Sequence, residues 1–141
     1  MPSIQDIQSE IVDDFSFLPQ WEERYAYLIE LGQKMPPMPQ EHKTEENIVR
    51  GCQSTVWLHK ACQGGVLQLE ADSDSLIVKG LAALLMRVYS GQTAEDAATA
   101  ELTFFDETGL NKHLSSQRTN GLMAMIDEIK KFAIRCATGE A

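Results

Sequence analysis

Two adjacent glycines set between alternating apolar and polar residues, in "TVWLHKACQGGVLQLEADS", constrain this chain more tightly than any other feature. A Gly-Gly pair supplies the positive φ that both central positions of a tight hairpin turn require, so the flanking strands pair antiparallel. With Gly64-Gly65 as the turn, residue 62 faces 67, 60 faces 69, 58 faces 71 and 56 faces 73. That register collects Val56, Leu58, Cys62, Leu67, Leu69 and Ala71 on one face, the side expected to meet the core. Thr55, Trp57, His59, Gln68, Glu70 and Asp72 share the other face, which is polar except for the tryptophan, as in a sheet open to water on one side. Residues 47–50 read as a third strand, joined to the hairpin across Cys52.

The remaining periodicity is helical. Ile4, Ile7, Ile11 and Phe15 recur at three- and four-residue steps among acidic residues, which predicts an amphipathic first helix. Trp21, Tyr25, Leu28, Ile29 and Leu31 mark a second helix that begins after Pro19 and ends near Gly32. The prolines of "KMPPMPQEHKTEE" remove backbone donors and fix φ, so an extended surface loop follows. Asp72, Ser73, Asp74 and Ser75 offer N-caps for a helix with the stripe Ile77, Leu81, Leu84, Leu85 and Val88, closed by Gly91. Thr93 with Asp96 suggests a short helix through Ala100. A last helix starts at Ser115-Ser116, and its Leu122, Met125, Ile126, Ile129, Phe132, Ala133 and Cys136 keep helical spacing. Helices flanking one small sheet give the class: α+β, with a three-stranded antiparallel sheet packed against helices. At 141 residues, with no internal repeat, residues 1–141 form one domain.

Charge narrows the partners. Twelve Lys and Arg against 21 Asp and Glu leave a net charge of -9, which repels phosphate backbones and anionic lipid. Neither nucleic acid nor membrane is an expected partner; proteins or small molecules are. The N-terminal "MPSIQDIQSEIVDDF" lacks the positive charge and apolar run of a signal peptide, and no stretch approaches the roughly 18 apolar residues of a membrane span. The three cysteines, at spacings of ten and seventy-four, fit neither a disulfide framework nor a paired zinc motif. A soluble protein of the reducing cytoplasm is expected.

Cys62 and Cys136 continue apolar stripes and read as packing residues. Cys52 does not. In "IVRGCQSTVW" it sits between Gly51 and the polar pair Gln53-Ser54, where one apolar run stops and another begins, and a turn is where a scaffold presents functional groups. Position alone leaves it open between a turn residue and a working thiol. His42 falls in the proline-rich loop, His59 faces Glu70 across the hairpin and His113 precedes the last helix, all consistent with surface histidines. A Cys-His hydrolase would need one of them beside Cys52, and spacing does not place it there. No glycine-rich phosphate loop, His-x-x-x-His pair or carboxylate motif is present, so no metal site and no cofactor are expected.

"IVRGCQSTVWL", then "ADSDSLIVKGL" and "HLSSQRTNGLMAMI", in that order, resemble the SufE family of sulfur acceptors for cysteine desulfurases, which includes CsdE. The resemblance runs from "WEERYAYLIELGQKMP" to the last helix. It implies an α+β fold shared with IscU-type scaffold proteins and an acceptor cysteine on the loop between two strands, the place held by Cys52. It also implies a desulfurase partner, SufS-like or CsdA-like, and delivery of sulfur to a downstream acceptor or scaffold for iron–sulfur cluster assembly. Arg118 matches an arginine of the family pattern near the acceptor loop, with Gly51, Gln53 and Ser54 around the cysteine. Asp74, Lys79 and Gly80 match the start of the helix after the hairpin. The chemistry needs one thiolate, which attacks the terminal sulfur of a persulfide in a relative of thiol–disulfide exchange. A resting place among apolar side chains would protect such a group and raise its pKa. Two other roles stay open: an iron–sulfur scaffold, and an allosteric activator of a desulfurase that carries no sulfur.

Overall fold

The computed structural model describes residues 2–141, in which seven α-helices and one two-stranded antiparallel sheet are found. The hairpin forms in the register that the glycine pair dictates. Strands β1 (Val56–Gln63) and β2 (Val66–Ser73) pair Val56 with Ser73, Leu58 with Ala71, Lys60 with Leu69 and Cys62 with Leu67. Gly64 and Gly65 take φ of 59° and 77° between them, a conformation that side-chain-bearing residues rarely adopt.

The expected third strand is reduced to one residue pair. Ile48 bridges Trp57, and the Val49 N–H donates to Val56 at 2.8 Å. A 3₁₀ turn at Glu45–Asn47 and the turn at Arg50-Gly51 leave no further extended backbone on either side. The β2 edge is covered instead by residues 91–94: the Leu67 N–H donates to Gln92 at 2.9 Å and the Gly91 N–H to Leu67 at 2.8 Å. Both edges are therefore partly closed, which protects so small a sheet from pairing with other chains.

Helix α1 (Ile4–Ser16) buries Ile4, Ile7, Ile11 and Phe15, the stripe its spacing predicts. Helix α2 (Trp21–Lys34) runs past Gly32, which does not end it. Gly32 and Gly80 instead let α2 meet α3 (Leu76–Tyr89) backbone to backbone: a Cβ on Gly80 would lie 2.2 Å from the Leu28 carbonyl oxygen, and one on Gly32 would lie 2.9 Å from the Gly80 nitrogen. The N-cap of α3 is Ser75, whose hydroxyl accepts from the Val78 N–H. The proline-rich segment carries a 3₁₀ turn at Gln40–His42.

Thr93 caps α4 (Ala94–Thr99) through the Asp96 N–H, as its sequence suggests. Two short helices went unmarked by periodicity, α5 (Phe104–Thr108) and α6 (Leu110–His113). The start of α5 is organised from a distance. Gln8 of α1 is 1% exposed, and its Oε1 accepts from the Thr103 and Phe104 N–H groups while its Nε2 donates to Glu101. Helix α7 (Ser116–Ala137) is capped by Ser115 and packs on α3, α4 and the hairpin. No helix among the described residues is long and apolar enough to cross a membrane.

Cys62 and Cys136 are joined in a disulfide, with Cα atoms 5.8 Å apart, which corrects their reading as separate packing residues. Each does sit on an apolar face; the docking of α7 on the hairpin turns the two faces toward each other. The bridge closes a loop of 74 residues, for which chain-entropy arguments give about 4 kcal/mol of stabilisation.

The α2–α3 contact generates a stability prediction. Gly80→Ala places its methyl against backbone, which no side-chain rotation relieves, and overpacking of this kind costs at least ~1–3 kcal/mol. Urea unfolding should show a lower midpoint with an unchanged slope, and a wild-type midpoint would refute the close approach.

Candidate functional site

Cys52 lies on the loop that carries the chain from Val49 to β1, and the loop's shape follows from its two ends. Val49 and Val56 are fully buried, so both ends are pinned in the core. Between them Gly51 turns the chain at φ 92°, a value that selects glycine. At the far end Asp74 holds the loop closed: its Oδ1 accepts from the Thr55 N–H at 3.1 Å, while its own N–H donates to the Thr55 carbonyl at 3.2 Å. Asp74 is thus a loop clamp, and capping of α3 belongs to Ser75.

Helix α7 forms the floor under the thiol. A Cβ on Gly121 would stand 3.3 Å from Cys52 Sγ, and one on Gly51 would stand 3.6 Å from Ala124 Cβ. The Sγ–H donates weakly to the Gly121 carbonyl at 3.6 Å. Gly121 is therefore the residue that admits the thiol, and sequence reasoning missed it. Its signal was a lone glycine inside an otherwise helical pattern, which costs helix stability and calls for a packing reason.

Cys52, Gln53, Ser54, Ser75, Val78, Ser115, Gln117, Arg118 and Gly121 line a cavity of about 280 Å³ beside the sulfur. The lining is mixed, where a wholly apolar resting pocket was expected. Gln53, Ser54, Ser75, Ser115, Gln117 and Arg118 bring hydroxyl, amide and guanidinium groups beside Val78 and Gly121, while Cys52 also packs against the apolar core. Arg118 stands on the first turn of α7 and forms no ion pair among the described residues. Asp74 and Lys79 do not line the cavity; Lys79 pairs with Asp72 at 3.3 Å.

Half-burial pushes the Cys52 thiol above its ordinary pKa, and the negative charge of Glu128 pushes it the same way. Glu128 is held on that side of α7 by Lys60, whose Nζ lies 3.2 Å from its carboxylate. At neutral pH the group at rest is a thiol, a poor nucleophile, since reactivity belongs to the thiolate. Cys52 is also the free cysteine, because the disulfide occupies the other two.

The histidines stand elsewhere. None lines the cavity; His113 stacks on Trp21 at 3.7 Å, and His59 faces Glu70 as the hairpin register requires. No Cys-His pair is assembled at Cys52. Trp57 pairs with Asp72 across the hairpin, and Lys43 joins the two. Lys43 lies over the indole at 5.4 Å and bonds Asp72 at 2.8 Å. Burial alone would raise the Asp72 pKa, but Lys43, the Ser73 N–H and Lys79 outweigh it and hold the carboxyl below its usual range.

Two measurements check this resting state. Alkylation of Cys52 in the isolated protein should rise with pH through a midpoint above that of the unfolded chain, because the folded thiol holds its proton to higher pH. Coincident midpoints would contradict the shielding by burial and by Glu128. Gly121→Ala should raise two readouts together, adding up to ~1 kcal/mol of helix stability while crowding the sulfur outward and speeding its alkylation. Unchanged reactivity would mean that α7 does not hold the thiol.

The chain matches the family model described as SufE, an Fe-S metabolism associated domain, over residues 9–133. It is 46% identical over 129 residues to an uncharacterized SufE-like protein of Rhizobium meliloti (strain 1021), covering 88% of this chain and 92% of that one. An uncharacterized SufE-like protein of Rhizobium etli is 43% identical over 129 residues, covering 88% and 87%. Among solved structures, the solution structure of a hypothetical protein from Thermus thermophilus superposes with a TM-score of 0.77 at 25% identity, covering 94% of this chain and 96% of that one. With the family model spanning most of the chain and two relatives above two-fifths identity, the protein belongs to the SufE family of Fe-S metabolism associated domains.

Proposed function

We propose that this protein is a sulfur carrier, which takes sulfur from the persulfide of a pyridoxal-phosphate-dependent cysteine desulfurase onto Cys52, stimulates that enzyme and passes the sulfur on for iron–sulfur cluster assembly. The observation that carries the reading is a single free thiol, shielded on a pinned loop, beside a cavity with room for one more sulfur atom. The step is an exchange at sulfur. The Cys52 thiolate attacks the terminal sulfur of the donor's S–SH, a new S–S bond forms at Cys52, the donor's S–S bond breaks, and the donor leaves as a thiolate. No electrons are gained or lost overall, so the chain needs no cofactor of its own.

The raised thiol pKa fits a carrier that must stay inert until docked. A desulfurase that draws the loop away from Gly121 and Glu128 removes both causes of the shift. Arg118, the one cation among the described residues of the cavity lining, then favours the thiolate, with Gln53 and Ser54 supporting the loop. Partner contact surrounds this loop, because the donor sulfur has to reach Cys52. The cytoplasm, where such desulfurases work, is the proposed location. The disulfide removes the ground that cysteine count had offered for it, since disulfides are rare in a reducing compartment. The place therefore rests on the partner reaction.

A cluster scaffold is less well supported: it would need about three or four ligands around the loop, and the other two cysteines are bonded to each other outside the cavity lining. A non-carrier activator separates from a carrier by experiment. After incubation with a desulfurase and cysteine, intact-mass analysis should show added sulfur on the wild-type chain and none on Cys52→Ser, which should also lose stimulation. Stimulation that survives Cys52→Ser would favour the activator. Arg118→Ala should keep the fold and slow transfer about twofold to fivefold, the effect of a rim charge worth ~0.5–1 kcal/mol, with added salt slowing the wild type in parallel. A wild-type rate for Arg118→Ala at every salt concentration would remove Arg118 from the working surface and leave the case for Cys52 standing.

A further inference from the structure

On the solvent face of the hairpin, away from the cavity around Cys52, three ligating side chains converge. His42 Nδ1 lies 2.9 Å from Glu70 Oε1 and His59 Nδ1 lies 3.3 Å from the same oxygen. One ligand atom from each residue falls within a sphere in which no pair is more than 4.8 Å apart. The His42 contact is a hydrogen bond, in which the ring nitrogen donates because a carboxylate only accepts. The two imidazoles stack with centroids 3.8 Å apart and planes 6° from parallel.

We propose that His42, His59 and Glu70 form a binding site for a divalent first-row transition cation of the zinc class. In a tetrahedral shell with bonds of ~2.0–2.2 Å, neighbouring ligand atoms stand ~3.3 Å apart. His59 Nδ1 already has that separation from the carboxylate oxygen, and His42 Nδ1, at 2.9 Å, has to back away by a few tenths of an ångström. Imidazole with carboxylate selects zinc, copper, nickel or ferrous ions over magnesium and calcium, which prefer all-oxygen shells. The backbone is fixed in advance. His59 and Glu70 are direct partners in the β1–β2 ladder, the His42 N–H donates to Pro39 at 2.9 Å, and the His42 carbonyl accepts from Asn47 at 2.8 Å. Only side-chain torsions must change: parallel rings cannot both aim a nitrogen lone pair at one ion, so the imidazoles fan apart about their broad χ2 wells. Each ring binds the cation through Nδ1 as the neutral tautomer that carries its proton on Nε2.

Charge favours the same occupant. The Glu70 carboxylate has no lysine or arginine partner among the described residues, because the neighbouring Lys43 is committed to Asp72. The net charge of -9 adds a long-range attraction for cations. The three side chains are 28%, 30% and 39% exposed, so the ion keeps open positions for water.

The test uses the tag-free chain carrying Cys52→Ser with its disulfide closed, so that no thiol competes. Titration with Co²⁺ should saturate at one equivalent, with visible d–d bands and no sulfur-to-cobalt charge-transfer band, and Zn²⁺ should displace it while Mg²⁺ does not. His59→Gln and Glu70→Gln should each weaken binding by at least tenfold, and His113→Gln should leave it unchanged. Absence of saturation, or an affinity indifferent to His59→Gln, would overturn the site. Should a variant fail to fold, imidazole NMR on the unmutated histidines decides: one equivalent of Zn²⁺ shifting His42 and His59 but not His113 supports the site, and any other pattern overturns it.

Discussion

The register of the β1–β2 hairpin is the constraint on which the rest of this structure hangs. A slip of one residue would turn every side chain of a strand to the opposite face. Cys62 would then leave α7, Lys60 would lose Glu128, and His59 would no longer stand across from Glu70. Two glycines with positive φ prevent the slip locally, and the burial of Val56, Leu58, Leu67 and Ala71 prevents it globally. Turn chemistry and core burial thus specify the same pairing, which is the agreement between levels that selects one fold.

Helix α7 transmits that register to the thiol. Gly121, Ala124, Glu128 and Cys136 recur along the face turned to the loop and hairpin, where they meet Cys52, Gly51, Lys60 and Cys62 in turn. The neighbouring face, with Leu122, Met125, Ile129 and Ala133, enters the core. One helix therefore does two jobs on adjacent stripes. Small residues at its N-terminal end admit the loop, and a covalent tie near its C-terminal end holds the helix in place.

How much of this could be read in advance depended on the range of the interaction. Turn residues and caps act within four positions, so the Gly64-Gly65 hairpin, the Thr93 and Ser115 caps and the stripe of α1 were legible. The turn position of Cys52 was legible for the same reason. Features set by packing between distant segments were not. Gly32 looked like a helix end because nothing local shows that it lies against Gly80. Cys62 and Cys136 looked like packing residues because the disulfide exists only once α7 has docked. Helices α5 and α6 are too short to show a period, and the first begins where Gln8, far away in sequence, supplies an acceptor for its N–H groups. His59 was seen opposite Glu70, but His42 arrives from a loop whose path no periodicity records.

The same distinction explains why the thiol can be inert and available in one structure. A cysteine buried in a core stripe is protected but unreachable, whereas one on an open turn is reachable but exposed to oxidation. Cys52 takes neither place. Its loop is pinned at Val49 and Val56 and clamped by Asp74, so the backbone ends are fixed. The sulfur itself is held only by a 3.6 Å contact with the Gly121 carbonyl and by the fit over a residue without a side chain. A hydrogen bond from a thiol is weak, and a glycine offers little area to bury, so releasing the sulfur costs far less than unfolding the loop's anchors. Shielding comes from desolvation and from the Glu128 charge, both of which depend on distance and fall away as soon as the sulfur moves. For the proposed carrier, protection and reactivity are then two positions of one sulfur, on a loop whose two ends stay anchored.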